Sequence, residues 1–137
     1  MLNFLMNAIS FKSAKKSPEK FKVRPGYDSG DLLIEFCGDH RSQDYPNIYK
    51  LLTTILCAKI IEHPQLNTLD IALTADDYIY CYEYANGRFE LVDDVWGCCI
   101  HSLENNYQVI TDIEKALIKS TLFLKEDVDF SRYQKDL

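Results

Sequence analysis

The feature that most constrains the fold is the segment YIYCYEYANGRFELVDD, residues 78–94, in which every second position holds a tyrosine until the chain reaches Asn86-Gly87. Such alternation is typical of a β-strand, since successive side chains point to opposite faces of a sheet. Asn-Gly between two alternating runs is a strong hairpin signal because both residues tolerate the positive φ of a type I′ turn. The segment therefore predicts a hairpin that turns at Asn86-Gly87.

This turn also predicts how the two strands pair. Tyr84 would face Phe89, and Glu83 would face Glu90 as a like-charge pair that is tolerable only in water or opposite a cation. One face of the hairpin is expected to bury against a helix, with tyrosine hydroxyls reaching the edge, while Glu83 and Glu90 stay exposed on the other. The residues of the buried face are Tyr80, Tyr82, Tyr84, Phe89 and Leu91.

Two helices and several further strands complete the predicted fold. A wide apolar face predicts a helix over residues 46–62, with Asp44 as its N-cap and Pro64 preventing its continuation. A second apolar stripe predicts a helix over residues 105–120. Further strands are expected before the Pro25-Gly26 loop and at residues 31–37, 67–74 and 96–101. The fold class is therefore α+β, an antiparallel sheet of four to six strands with two main helices packed on it.

Charge divides the 137-residue chain into a basic arm and an acidic body. Residues 1–24 hold six cationic side chains and one acid, or +5, so the net charge of -6 leaves -11 on the remainder. We predict that residues 1–20 form a mobile or short helical arm and that residues 21–137 form one globular domain. A solvated tether is the simplest interpretation of the arm; contact with phosphates or anionic lipid is the alternative.

Composition indicates a cytoplasmic protein. No apolar run approaches the roughly 20 residues that span a bilayer, so no membrane span is expected. The chain opens with apolar residues followed by basic ones, the reverse of a secretory signal. Its five cysteines form no evident disulfide framework, and we expect reduced, mostly buried thiols.

Acidic residues around the hairpin are the feature that needs a functional explanation. An acidic body repels nucleic acid, so no nucleic-acid partner is expected, and its field attracts basic proteins. Trp96-Gly97 is interpreted as a core tryptophan at a strand corner; if exposed, Trp96 would instead suit a hot spot for a protein partner. The candidate partner-binding residues are Asp76, Asp77, Tyr78, Glu83, Glu90, Asp93, Asp94 and Trp96.

Two local patterns could together supply Cys and His ligands to a zinc site, Cys37-Gly-Asp-His40 and Cys98-Cys99-Ile-His101. Neither matches a known zinc motif, and Cys98 and Cys99 cannot both face inward from a regular strand. Buried thiols and surface histidines are the favoured interpretation. No metal or cofactor residue is assigned.

Cysteine catalysis would require Cys37 or Cys99 close to a histidine base that an acid orients. The bases that the chain offers are His40, His63 and His101. The sequence has no nucleophile elbow, phosphate-cradling glycine loop or HExxH pattern. We therefore assign no catalytic residue and expect a protein that is not an enzyme.

The second half, FELVDDVWGCCIHSLENNYQVITDIEKALIKSTLF, resembles small bacterial immunity proteins of contact-dependent growth inhibition and similar polymorphic toxin systems. The resemblance lies in the strand ending in Asp93-Asp94, the Trp96-Gly97 corner, Asn105-Asn106 and the closing amphipathic helix. It implies a cytoplasmic, acidic, single-domain protein that binds and neutralises one cognate toxin domain, commonly a basic nuclease. The leading hypothesis is that this chain occludes the active site of such a toxin, with the hairpin carboxylates imitating nucleic-acid phosphates. The alternatives are a protein–protein adaptor or chaperone, and a small cysteine- or metal-dependent enzyme.

Overall fold

The computed structural model describes residues 17–26, 29–62 and 78–133. The predicted arm up to residue 16 and the strand predicted at residues 67–74 lie outside this part of the chain. The strands are β1 Glu19–Pro25, β2 Leu32–Phe36, β3 Lys59–Glu62, β4 Tyr78–Tyr84, β5 Gly87–Asp94, β6 Gly97–Ser102 and β7 Phe123–Lys125. The helices are α1 Ile48–Thr54, α2 Asn106–Lys119 and a short 3-10 turn, Phe130–Tyr133. None of these described helices is long and apolar enough to cross a membrane.

All seven strands belong to one sheet, in the order β3-β4-β5-β6-β2-β1-β7. Neighbouring strands are antiparallel except for β1 and β7, which are parallel. The α+β class is confirmed, and α2 matches its predicted range. The sheet has one strand more than the predicted upper limit because a short segment after each helix adds an edge strand, β3 or β7.

The hydrophobic core lies between the two helices and one face of the sheet, which we call the inner face. In α2 the buried residues Val109, Ile113 and Leu117 recur every fourth position, so they form one stripe toward the sheet. The fully buried side chains of the strands are Phe21, Ile34, Tyr82, Phe89, Leu91, Ile100 and Phe123. The opposite face, which we call the outer face, carries most of the charged strand residues.

Helix α1 is much shorter than predicted. Its N-cap is Asn47, whose side chain accepts a hydrogen bond of 3.0 Å from the Lys50 N–H, so the assignment of Asp44 was wrong. The helix ends at Thr54, and Cys57 then takes a positive φ of 60°. The following residues pair with β4 as strand β3, with Ile60 opposite Tyr82. Periodicity alone does not separate a short apolar strand from the end of a helix.

The β4–β5 hairpin turns one residue earlier than predicted. Ala85 and Asn86 form its turn, neither has a positive φ, and the turn is therefore not type I′. Moving a two-residue turn by one position shifts every cross-strand pair by two residues. The predicted cross-strand partners were therefore wrong, but each residue was assigned to the correct face of the sheet. Tyr82 is opposite Phe89 and fully buried, as the alternation predicts.

Helix α2 explains the shifted turn. The Asn86 side chain donates a hydrogen bond of 2.8 Å to Asp112, and the Asn86 carbonyl accepts one of 2.9 Å from Asn105. A Cβ atom on Gly87, whose φ is 153°, would lie only 3.0 Å from Val109. The turn is thus set by contacts with a helix that follows it in the sequence, which the local Asn-Gly signal does not contain.

Candidate protein interface

The predicted acidic residues do not form one surface in the described part of the chain. Asp76 and Asp77 lie outside it. Glu83 is exposed and Glu90 is half-buried, and both lie on the outer face. Asp93 shares the inner face with Leu91 because the two are separated by one residue of the same strand.

Asp93 is part of a structural network. Its Oδ1 atom lies 2.8 Å from His40 Nε2 and accepts a hydrogen bond of 2.9 Å from Arg41 Nε. Its Oδ2 atom accepts a hydrogen bond of 2.8 Å from the Tyr49 hydroxyl. Only 14% of the Asp93 side chain is exposed. The carboxylate therefore fastens the loop before α1, and α1 itself, to the end of β5.

The pKa of Asp93 reflects this network. Burial acts to raise it, but hydrogen bonds from Tyr49, His40 and Arg41, together with the Arg41 charge, hold the pKa below its ordinary value. The carboxylate is charged near neutral pH and already has three partners. Its predicted role in contacting another protein is therefore not favoured by the geometry.

Asp94 organises the turn between β5 and β6. Its Oδ1 atom accepts hydrogen bonds from the backbone N–H groups of Trp96, at 2.7 Å, and Gly97, at 2.8 Å. This arrangement is an Asx-type turn, in which an aspartate side chain satisfies the backbone that follows it. Asp94 thus fixes the backbone that carries Trp96.

Trp96 is 92% exposed, so its interpretation as a core residue was wrong. Asp94, the last residue of β5, pairs with Gly97, the first residue of β6. The two residues between them, Val95 and Trp96, therefore lie beyond the end of the sheet. No core reaches that position. Tryptophan is highly buried on average, so an indole exposed on a hydrogen-bonded turn is a candidate contact surface for another protein.

Further exposed apolar residues lie at this end of the sheet. Val95 is 51% exposed beside Trp96, and Ile79 and Tyr78, at the start of β4, are 48% and 36% exposed. Tyr78 is the residue opposite Asp93, which places it at the same end. We call Tyr78, Ile79, Val95 and Trp96 the Trp96 patch; they share this end of the sheet, where Tyr78 and Ile79 point to opposite faces. The Arg41 guanidinium lies 5.9 Å from the centre of the Tyr78 ring, a cation–π contact that links the patch to the Asp93 network.

Of the remaining hairpin acids, Glu83 lies among cations, whereas Glu90 is opposite Cys81 and His101. Glu83 is opposite Arg88 on β5 and Lys59 on β3, and Arg88 also contacts Glu104 at 3.3 Å. The predicted Glu83–Glu90 pair was therefore wrong. The result is a mixed surface in place of the expected acidic one.

Sequence analysis missed His40, Arg41 and Tyr49 as partners of Asp93. They lie more than 40 residues away along the chain, so no local pattern connects them. One signal was available: Asp93 falls at a position of the alternation that faces the core. A charge at such a position requires partners, because burying an unpaired charge is costly.

The five cysteines differ in location and in burial. All five are thiols: Cys81 and Cys98 are buried, Cys37 and Cys99 are partly buried and Cys57 is exposed, so fewer are buried than expected. Cys99 lies on the outer face, with its Sγ atom 3.2 Å from His101 Nε2. Burial, as the largest effect, raises the pKa of the Cys99 thiol, which disfavours a nucleophilic thiolate near neutral pH.

Comparison with known proteins adds no functional assignment. No protein-family model matches the chain, and searches of curated proteins and of solved structures find no significant match.

Proposed function

We propose that this chain is a cytoplasmic immunity protein, which binds a basic toxin domain, such as a nuclease, and occludes its active site. The observation that supports this proposal most is the 92% exposure of Trp96 on a turn that Asp94 holds by hydrogen bonds. Tryptophan is enriched among the residues that dominate protein–protein affinity, because it buries a large rigid surface and offers an N–H donor. The Trp96 patch supplies the apolar centre of the contact.

Preorganisation of the turn also supports a binding role. Two backbone N–H groups are held by Asp94, so the turn loses little conformational freedom when a partner covers it. The indole is not part of the core, which means that it can be removed without leaving a cavity. A residue with these properties contributes more to binding than to folding.

The charge of the body supports a basic partner. Residues 25–137 carry -11, and a field of this sign steers cationic proteins even where individual acids are paired. This replaces the predicted mechanism, in which hairpin carboxylates imitate nucleic-acid phosphates. The proposed contact instead has an aromatic centre, and the long-range field of the acidic body increases the association rate.

A co-expression experiment tests the function. The toxin domain encoded beside this gene is induced in a bacterial host with or without this protein, and growth is measured. We expect wild type and Tyr107→Ala to protect, and Trp96→Ala to lose protection at equal levels of folded protein. Tyr107 is a matched control because it is also an exposed aromatic, 74% exposed, but lies on α2.

Two outcomes would contradict the proposal. If the neighbouring gene product is not toxic, or if it is toxic and this protein does not protect, an immunity function is wrong. If the protein binds that product without changing its activity, an adaptor function replaces it.

A further inference from the structure

Three side chains of the outer face are candidates for a metal site that is separate from the Trp96 patch. Cys99 and His101 project to the same side of β6 because they are two residues apart, and their Sγ and Nε2 atoms are 3.2 Å apart. Zinc bound tetrahedrally by a thiolate and an imidazole would hold these atoms about 3.6 Å apart. The two atoms therefore need only a small separation to accept an ion.

Glu90 can supply a third ligand. It is directly opposite His101 in the antiparallel β5–β6 pair, so both side chains leave the same face of the sheet. The Cβ atoms of opposite residues lie about 4.5–5.5 Å apart, within reach of a glutamate that changes rotamer. Among the described residues no three potential ligands converge already, so metal binding requires this movement of Glu90.

The surroundings leave a coordination position accessible. A cleft of about 400 Å³ lies beside the β1–β2 loop and the start of α2, and Cys99 and His101 form part of its lining together with Arg24 and Ser102; Glu90 lies outside this lining. A water molecule or an anion can approach the metal from this cleft. Three protein ligands with one open position is an arrangement that zinc adopts in proteins.

We propose that Cys99, His101 and Glu90 form a binding site for a divalent zinc ion. The ligand set, one thiolate, one imidazole and one carboxylate, matches the preferences of zinc and does not suit magnesium or calcium, which prefer oxygen ligands alone. The Cys99 thiol loses its proton when the metal binds, so the affinity rises with pH.

Metal titration of the full chain tests this site. The protein is kept reduced, Co²⁺ is added as a spectroscopic probe, and Zn²⁺ is then used to displace it. We expect one equivalent of Co²⁺ to bind, with a sulfur-to-cobalt charge-transfer band, and Zn²⁺ to remove that band. Mutation of a residue that only hydrogen-bonds to a metal ligand typically lowers metal affinity about 10–100-fold. Loss of a ligand itself, in Cys99→Ser or His101→Ala, should therefore weaken Zn²⁺ binding at least that much.

Matched variants separate this site from adventitious binding. Cys57→Ser removes an exposed thiol, and Glu83→Gln neutralises another outer-face glutamate; neither should change the affinity. Glu90→Gln also removes a proposed ligand and should weaken Zn²⁺ binding by at least about tenfold, so an unchanged affinity in this variant would contradict the proposed ligand set. Absence of binding by the wild type, or binding that Cys99→Ser and His101→Ala leave unchanged, would overturn the proposal. Circular dichroism of each metal-free variant verifies that the fold is retained.

Discussion

Asp93 and Tyr49 are joined by a hydrogen bond of 2.8 Å between the carboxylate and the phenol, and this contact connects the end of β5 to helix α1. The sequence suggests other roles for both segments. Asp93 was expected to be a surface acid, and Tyr49 belongs to a segment predicted as a helix with a wide apolar face. Together with His40 and Arg41, Tyr49 surrounds this carboxylate with three side-chain partners. The acid that was expected to bind a partner is thus held by three side chains of its own chain.

We predict that Asp93→Asn lowers stability in a pH-dependent manner. The pKa of Asp93 is lower in the folded protein than in the unfolded chain, where aspartate titrates near about 3.9. Its stabilisation is therefore complete above about pH 4 and is lost as the pH falls through the lower folded-state value. Hydrogen bonds to charged groups contribute about 1.5–3 kcal/mol, and screening at the 34%-exposed Arg41 favours the low end.

Urea unfolding at pH 7 and pH 3 measures this effect. The difference in unfolding free energy between wild type and Asp93→Asn should be smaller at pH 3 than at pH 7, because the stabilisation is lost progressively as the pH falls below the pKa of the unfolded chain. Asp127→Asn, which neutralises an exposed carboxylate, is the control and should change the unfolding free energy little at either pH. An equal loss at both pH values would mean that the charge of Asp93 does not stabilise the fold.

We predict that Tyr82→Phe does not destabilise the protein and can stabilise it by about 1 kcal/mol. Among the described residues, the Tyr82 hydroxyl is buried without a hydrogen-bond partner, and such a group costs about 1–3 kcal/mol. Tyr45→Phe is the matched comparison, since the Tyr45 hydroxyl donates a bond of 2.6 Å to the Cys37 carbonyl. Thermal unfolding should show opposite shifts; a loss of stability in Tyr82→Phe would indicate a partner for its hydroxyl.

We predict that Gly87→Ala destabilises the protein by at least about 1 kcal/mol. The φ of 153° is unfavourable for alanine, and the new methyl group would lie 3.0 Å from Val109 and 3.3 Å from Glu104. Gly30→Ala is the control because no atom lies within 4 Å of a Cβ there. Equal midpoints of urea unfolding for the two variants would contradict the account of the hairpin turn.

The sequence predicts the features that depend on the regular spacing of apolar side chains along a strand or a helix. The alternation of the tyrosines gives the buried face of β4 because one side of the strand is covered, and the spacing of Val109, Ile113 and Leu117 gives α2. Features that depend on distant contacts were missed. Helix α1 ends at Thr54 because the following residues pair with β4. Trp96 is exposed because its turn extends past the sheet.

We predict that salt slows the capture of the toxin domain. The body of the chain carries -11, and screening of such a field lowers the association rate, by about tenfold or more when steering is strong. Neutralisation of both outer-face acids, Glu83→Gln with Glu90→Gln, avoids placing a new cation opposite Arg88 and Lys59 and should slow association in the same direction. Stopped-flow association at several ionic strengths measures both effects. A rate that neither salt nor this neutralisation changes would contradict electrostatic steering.

The equilibrium affinity of Trp96→Ala for the toxin domain tests the central claim most directly. Loss of a hot-spot tryptophan costs about 2 kcal/mol or more, so we predict that its Kd rises at least about 30-fold while its melting temperature stays that of the wild type. Tyr107→Ala should bind like the wild type. Binding of Trp96→Ala within twofold of the wild type would contradict the claim and place the interface away from the Trp96 patch.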